Sequence, residues 1–367
     1  MTLSLKERDR RYKAIRELMI QDKFDALLVV GHGDCFSRGN VRYITDQGVI
    51  GGEQHCVFGL EGDPVFMMPG KGPAVDKLSK AAWNLDIREA PNPIEQVIAD
   101  LSRLDKGNKI GLVGMQEISA PLFLEAKSKF GDRLVNAVDI FEQLRSIKSD
   151  EEIGKMKTAA GIADKVFLTL KDIVKAGVTD YEIYGEVRKI IHQMGCEYSF
   201  ELISASDANM NLFVPTGDKL KENGVISVEI SPAYEGYYAQ MPVAVPAKDF
   251  PPRLSRLIDV WKESVAAAES AMRPGATVAD VHNAIETVVR NHGCVSPWRH
   301  GHALGLDLID FWSITDTNPT VLKPGMTLVV HPDIFEPGFE GIGPCAGYTY
   351  VITDKGVENL SEVDIFA

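Results

Sequence analysis

The sequence predicts an α+β protein of two domains: a smaller α/β domain at the N-terminus and a larger C-terminal domain with helices on a curved antiparallel sheet. One observation behind this prediction is that strand-like apolar runs alternate with short helical patterns over about the first 140 residues. The other is that the rest of the chain nearly repeats itself once. A length of 367 residues also suits two domains better than one. We therefore expect domains over 1–148 and 149–367.

The N-terminal domain is predicted to begin with an amphipathic helix over 7–22, because Tyr12, Ile15 and Met19 fall on one face. Gly31-His32-Gly33 follows the first strand-like run but lacks the full glycine pattern of a dinucleotide site, so we interpret it as an ordinary turn. The other predicted elements of this domain are strands at 26–30, 57–60, 64–68 and 110–113 and helices around 73–84 and 94–104.

Capping boxes mark the first helices of the C-terminal domain. Ser149 is followed three residues later by Glu152, a pair that predicts the start of a long helix running to about Val174. Thr179 and Glu182 form a second box and predict a second helix. The domain boundary therefore falls just before the first box.

The C-terminal half contains an internal duplication with a constant offset of 98 residues. Gly177 and Gly275 each precede a helix, and Gly195 and Gly293 each end one. A long helix comes before each unit and strand-rich sequence comes after it. Such a duplication predicts two helix layers on one curved antiparallel sheet, with a pocket on the pseudo-twofold axis.

Composition restricts the classes of binding partner and predicts the cellular location. The formal net charge of −13 and the isoelectric point near 5.2 disfavour nucleic acid and anionic membranes as partners and leave a small-molecule substrate. Five widely spaced cysteines do not suggest a disulfide framework. The N-terminus lacks the apolar core of a signal peptide, and no apolar run approaches the length of a membrane span. A cytoplasmic location is therefore expected.

Five segments match one known family in order along the chain: 40–45 (NVRYIT), 144–149 (LRSIKS), 229–237 (EISPAYEGY), 302–307 (HALGLD) and 324–332 (PGMTLVVHP). On these segments the chain resembles the creatinase/prolidase/aminopeptidase P family over nearly its whole length. The resemblance implies a C-terminal pita-bread domain, a smaller N-terminal creatinase-type domain and a homodimer.

The resemblance also implies a centre of two divalent metal ions held by two Asp, one His and two Glu, in which bridging carboxylates offset the repulsion between the cations. The residues at the first four ligand positions are Glu229, Gln240, His302 and His331. The fifth position falls near 345–347, where the chain has no acidic residue. A pocket with Glu229 as its only acidic group cannot hold two doubly charged ions, so we expect no paired-metal centre.

The retained polar residues are expected to meet on the floor of one pocket. His302 and His331 are the predicted acid and base, and Glu229 is predicted to orient or charge one of them. Two substrate-handling histidines of the family are replaced by Val214 and Ile309, so neither the metal-peptidase set nor the metal-free creatinase set is complete. The predicted substrate contacts are Gln240, His300, Arg299, Phe213, Trp312 and, reaching from a neighbouring subunit, Arg38.

Three functions are compatible with this pocket. We expect an enzyme that acts on a small molecule by acid–base chemistry, through C–N hydrolysis or elimination, with no cofactor. One alternative is a hydrolase or lyase with a single zinc or iron ion held by Glu229, Gln240, His302 and His331. The other is a non-catalytic binding protein. A standard Xaa-Pro dipeptidase is not expected. His282 is among five histidines interpreted as surface or packing residues.

Overall fold

The chain divides into two compact units, Met1–Ser146 and Ile147–Ala367. The helix predicted around 73–84 lies outside the residues that the structure describes. The computed structural model describes residues 3–48, 51–68, 83, 85–89, 92–206, 212–338 and 343–367.

The N-terminal unit is an α/β body around a mixed six-stranded sheet, as the sequence predicts. Its helices are α1 Leu5–Asp22, α2 Gly39–Thr45, α3 Pro93–Leu104, α4 Ala120–Phe130 and α5 Val138–Arg145. Its strands are β1 Phe24–Gly31, β2 Gln54–Gly59, β3 Val65–Met68, β4 Asp86–Glu89, β5 Lys109–Val113 and β6 Leu134–Asn136.

The strand order in this sheet is β4-β3-β2-β1-β5-β6. The central strand β1 pairs in parallel with β5 and in antiparallel with β2. All eight residues of β1 are buried, because both faces of the strand are covered. This explains why Leu27, Leu28 and Val29 form an unbroken apolar run rather than an alternating one.

The C-terminal unit carries four long helices and two antiparallel sheets within its described part. The helices are α6 Asp150–Ile173, α7 Asp180–Gln193, α8 Pro252–Ala271 and α9 Val278–Asn291. The strands are β7 Tyr198–Phe200, β8 Ile203–Ser206, β9 Val225–Tyr234, β10 Tyr237–Tyr238, β11 Met241–Pro246, β12 Gly301–Ala303, β13 Thr327–Val330, β14 Tyr348–Thr353 and β15 Gly356–Asn359.

The predicted duplication is confirmed in this unit. Helices α7 and α9 both have 14 residues, and both begin after a threonine capping box, at Thr179 and at Thr277. The strands that follow also correspond. In the first repeat, Ile203 of β8 pairs with Val228 of β9. In the second repeat, Gly301 of β12 pairs with Val330 of β13 in the same way.

The two sheets meet along β11 and β14. The backbone N–H of Gly347 donates to the carbonyl of Pro242 at 3.1 Å, and the N–H of Gln240 donates to Oγ1 of Thr349 at 2.9 Å. One hydrophobic core runs beneath both sheets and includes side chains from all four helices. The strands are therefore fixed from below by apolar packing, which leaves their upper faces to position polar side chains.

None of the helices within the described ranges combines the length and the apolar character that a membrane crossing requires.

Candidate active site in the C-terminal unit

Equivalent strand pairs of the two repeats hold the two central residues of the site. In the first repeat, the backbone N–H of Glu229 donates to the carbonyl of Leu202 at 2.9 Å. In the second, the N–H of His331 donates to the carbonyl of His300 at 2.9 Å. Glu229 and His331 therefore occupy the same place in the duplicated backbone.

The imidazole rings of His302 and His331 lie next to each other, and the sequence predicts that both belong to one pocket floor. Their ring centroids are 5.4 Å apart and their planes are inclined by 67°. His302 Nδ1 lies 3.0 Å from the carbonyl oxygen of Ala303, so Nδ1 carries the proton and Nε2 keeps its lone pair. Nε2 of His331 is buried and has no hydrogen-bond partner. Both rings thus present a nitrogen that is free for a ligand.

The environment keeps both imidazoles uncharged. Burial holds the pKa of His302 well below its usual range, and the charge of His331 acts in the same direction. Burial lowers the pKa of His331 to about 4, with Arg299 as the second cause. At neutral pH the two rings are therefore acceptors of protons or hydrogen bonds rather than proton donors.

Asp333 is a second acidic residue of the site, two positions after His331. Burial raises the pKa of Asp333 to about 8, and the negative charge of Glu229 adds to this effect. Burial raises the pKa of Glu229 to about 7. The expectation that Glu229 is the only acidic group of the pocket is therefore wrong: a carboxyl pair titrates there near neutrality.

Asp333 was missed because the sequence argument followed only the five ligand positions that the family resemblance defines. The residue lies just beyond the end of β13, where strand periodicity no longer indicates which way a side chain points. Its signal was nevertheless present in the sequence. His331 and Asp333 flank a single proline, and both are titratable. Of the equivalent residues in the first repeat, Glu229 and Ser231, only Glu229 is titratable.

Two uncharged side chains complete the neighbourhood of the carboxyl pair. Gln240 is 3% exposed, and its Oε1 has no hydrogen-bond partner. Cys345 is buried, and its thiol pKa lies well above the usual range because of burial first and then the charges of Glu229 and Asp333. The thiol is therefore neutral, and neither group supplies a bridging negative charge.

The remaining predicted contacts have different environments. Arg299 has an exposed side chain, yet its positive charge lowers the pKa of each of the four titratable groups of the site. Trp312 is 8% exposed and belongs to the hydrophobic core, whereas Phe213 is 65% exposed. Arg38 is buried in the N-terminal unit, next to the start of α2.

His300 lies in a separate cluster with His282 and Glu286 of α9. Its ring centroid is 4.6 Å from that of His282, and its Nε2 lies 3.3 Å from Oε1 of Glu286. His282 therefore has a cluster of titratable neighbours, which the sequence interpretation of it as a surface or packing residue did not include. These residues, 14 to 18 positions apart in the sequence, meet because the segment just before β12 brings His300 against α9, and no local sequence pattern indicates that contact.

Family models match both units of the chain. The model described as metallopeptidase family M24 matches residues 154–354. The model described as the creatinase/prolidase N-terminal domain matches residues 11–147. A similar curated protein is an uncharacterized peptidase of Staphylococcus aureus (strain USA300), which is 28% identical over 243 residues, or 65% of this chain and 67% of that protein.

Solved structures show the same fold at low identity. The prolidase from Pyrococcus horikoshii OT3 matches with a TM-score of 0.82 at 18% identity and covers 97% of this chain and 99% of its own. The Xaa-Pro dipeptidase from Bacillus anthracis matches with a TM-score of 0.81 at 19% identity, over 97% and 98% of the two chains. These structures establish the architecture, and the site residues of this chain have to be interpreted on their own chemistry.

Proposed function

The chain belongs to metallopeptidase family M24, and from this premise we propose that it cleaves a C–N bond in a small molecule by proton transfer, without a dinuclear metal centre. The observation that carries the proposal is the grouping of two carboxyl side chains, Glu229 and Asp333, with two neutral imidazoles whose Nε2 atoms are free. Groups with raised and lowered pKa values side by side are typical of acid–base sites.

The residues at the bridging positions do not fit a paired-metal centre. Gln240 is a neutral amide, and the segment 345–347, near which the fifth ligand position falls, has no acidic side chain, so neither place supplies a carboxylate that could bridge two cations. Asp333 adds an acidic group, but its carboxyl and that of Glu229 are both shifted toward the protonated form. The site therefore offers two carboxyl groups, where the paired-metal centre that the resemblance implies uses four.

The carboxyl pair can divide the acid and base roles. Glu229, with a pKa of about 7, is partly ionised at neutral pH and would accept a proton from the attacking water. The resulting hydroxide adds to the carbonyl carbon. Asp333, with a pKa of about 8, would then donate its proton to the nitrogen as the C–N bond breaks. Transfer of the proton from Glu229 to Asp333 restores the starting state.

The two histidines would position the reactants in this scheme. With neutral rings and free Nε2 lone pairs, His302 and His331 accept hydrogen bonds from the attacking water or from a substrate N–H. This differs from the sequence-based expectation that the histidines act as acid and base. The exposed cation of Arg299 beside the site favours a substrate that carries a carboxylate.

A site with one metal ion is the second candidate, and the two free Nε2 atoms are what favour it. Glu229 and Gln240 would complete the ligand set. Within the described residues, however, the ligand atoms of His302, His331 and Glu229 do not form a group that lies within 4.8 Å of one another. A non-catalytic binding function stays an alternative prediction. The homodimer, which the family resemblance implies, also stays a prediction.

The test is a substrate screen on chelator-treated protein. N-acyl amino acids, ureido acids, guanidino acids and Xaa-Pro dipeptides are incubated separately, and released amines are identified by mass spectrometry. We expect turnover of a carboxylate-bearing amide or urea that survives chelation, and a loss of about 100-fold or more in His331→Gln. His292→Ala, which alters an exposed histidine paired with Glu263, is the matched control.

Three outcomes would contradict the proposal. Proline release from a dipeptide that requires added manganese would establish the metal peptidase instead. Activity that disappears on chelation and returns with one equivalent of zinc, both in the unchanged protein and in Glu286→Gln, would establish the single-metal site at His302 and His331. Biological activity that is unchanged in both His302→Ala and His331→Ala would favour the binding protein.

A further inference from the structure

A second cluster of titratable side chains lies beside the candidate active site and is not used by the proposed chemistry. We propose that His282, Glu286 and His300 bind one divalent transition-metal ion, and that zinc matches the donor set best. The ligand atoms of these three residues all lie within 4.8 Å of one another. In the part of the chain that the structure describes, no other group of three or more His, Cys, Asp or Glu side chains meets this criterion.

The local fold explains how the three residues meet. His282 and Glu286 are four positions apart on α9, so their side chains share one face of the helix. His300 comes immediately before β12. The next residue, Gly301, has a φ of 146°, and a Cβ there would overlap the carbonyl oxygen of Val329. Only glycine fits this close approach of β12 to β13, which places His300 beside the helix.

The hydrogen bonds of the cluster are incomplete without a cation. His300 is fully buried, and its Nε2 has no hydrogen-bond partner although Oε1 of Glu286 is 3.3 Å away. Nδ1 of His282 is also buried without a partner. Oγ of Ser296 lies 3.3 Å from Nδ1 of His300, so Nδ1 can donate to the hydroxyl and leave a lone pair on Nε2.

The spacing of the acceptor atoms suits a tetrahedral ion. With metal–ligand bonds of about 2.0–2.1 Å, two ligand atoms of a tetrahedral zinc site are roughly 3.3 Å apart. The separation of 3.3 Å between Nε2 of His300 and Oε1 of Glu286 agrees with this value. Two imidazoles and one carboxylate would leave a fourth position for water, and a bound cation would satisfy both unpartnered nitrogens.

Charge and access favour the same conclusion. His300 is fully buried, an environment that favours the neutral ring that ligates metals. His282 and Glu286 are only partly buried, so the cluster has two ligands that solvent reaches. The formal net charge of −13 for the whole chain also favours cation binding.

The position of the cluster assigns the ion a structural role. The carbonyl of His300 accepts the backbone N–H of His331 at 2.9 Å. An ion bound by His300 and by two residues of α9 would therefore restrain the backbone that is hydrogen-bonded to His331 and so hold His331 in position in the active site. The inference does not rest on the proposed function, because the cluster supplies no group to that chemistry.

The experiment measures zinc binding by the full chain. Protein is stripped with a chelator and then dialysed against zinc sulfate that gives 10 µM free zinc, on the order of the dissociation constant expected for three protein ligands. The metal content of the protein is then determined. We expect about one zinc ion per chain and a rise in Tm. Glu286→Gln and His282→Ala should weaken binding by at least about 10-fold and abolish most of the rise in Tm. Both residues are partly exposed, so these variants keep the test usable if His300→Ala fails to fold.

Two controls separate this site from others. His292→Ala removes an exposed histidine near the end of α9, and it should leave the zinc content unchanged. His331→Ala removes a histidine of the active site and should also leave it unchanged. Cobalt substitution should give the visible absorption of a four-coordinate ion, and Glu286→Gln should remove that absorption.

The proposal is overturned if stripped protein takes up less than about 0.2 zinc per chain under these conditions. It is equally overturned if His331→Ala loses zinc while Glu286→Gln and His282→Ala retain it, since the ion would then belong to the active site. Neither result bears on whether chelated enzyme turns over a substrate, so this proposal and the proposed function can fail independently.

Discussion

The two repeats of the C-terminal unit share a backbone plan and differ in the chemistry placed on it. At four equivalent positions on or next to the strands, the first repeat has one titratable residue, whereas the second has histidine or aspartate at all four. Only one of these positions is polar and titratable in both repeats, Glu229 in the first and His331 in the second. The other three pairs, first repeat before second, are Leu202 and His300, Ser204 and His302, and Ser231 and Asp333.

The helices that precede these strands differ in the same way. In the first repeat, Arg188 donates to the Tyr184 hydroxyl at 3.0 Å and lies 3.6 Å from the carboxylate of Glu201. The equivalent positions of the second repeat are His282 and Glu286, whose neighbouring nitrogens are left without partners. The first repeat therefore places a cation against its buried carboxylate, Glu201, whereas the second gathers two histidines around Glu286.

This difference teaches that the duplication supplies positions and substitution supplies function. Packing and strand pairing constrain the core of both repeats equally, because the same apolar cluster lies under both. The upper faces are free of that constraint. Nearly all of the candidate chemistry has accumulated in the second repeat, and the first contributes mainly Glu229 and Gln240.

The largest effect that would break the comparison is on catalysis. Asp333→Asn removes the proposed proton donor, so we expect kcat/KM for the substrate found in the screen to fall by about 10²- to 10⁴-fold. Ser231→Ala alters the equivalent position of the first repeat and should stay within about twofold. Equal losses in the two variants would mean that the second repeat has no special role in the reaction.

The next effect concerns the backbone at equivalent strand starts, where the first repeat has Ile203 and the second has Gly301. Gly301→Ala should lower the free energy of unfolding by about 2–5 kcal/mol, since it combines a disfavoured φ with an overlap against Val329. Gly356→Ala is the matched control, because its φ is 140° but its surroundings are open.

Urea denaturation of the two glycine variants measures this difference. Gly356→Ala carries the conformational strain alone and should lose only about 1 kcal/mol. If Gly301→Ala is no worse than Gly356→Ala, then β12 can shift away from β13, and the tight approach that places His300 beside α9 is not required.

The smallest effect is a pH dependence of stability that comes from the carboxyl pair. The pKa of Glu229 is raised to about 7 in the folded chain, so between the ordinary carboxyl range and pH 7 the folded state holds a proton that the unfolded state has released. The stability that this group contributes is present at low pH and is lost as the pH rises through 7.

Glu229→Gln should therefore become more stable relative to the unchanged protein between pH 5 and pH 8, by an amount of order 1 to 3 kcal/mol. Urea midpoints at the two pH values measure the change. Asp316→Asn, at an exposed carboxylate, should show no such trend. A trend of opposite sign would mean that the carboxylate of Glu229 is stabilised in the folded state by a cation.

The architecture of this protein can be predicted from its sequence. The alternation of strands and helices, the capping boxes at Ser149 and Thr179, and the 98-residue offset are local or periodic signals, and the structure follows them closely. The pairing of His302 with His331 also followed from the sequence through the family resemblance. These features are readable because each depends on neighbouring residues or on a regular spacing.

Only the tertiary structure decided what surrounds those residues. It brought Asp333 beside Glu229 and His300 beside α9, and it set the burial that moves the pKa values of the site. The physical reason is that desolvation and side-chain convergence depend on which distant segments pack together. The position of a residue along the chain does not indicate which side chains will surround it. That is set by long-range contacts, such as the pairing of β12 with β13.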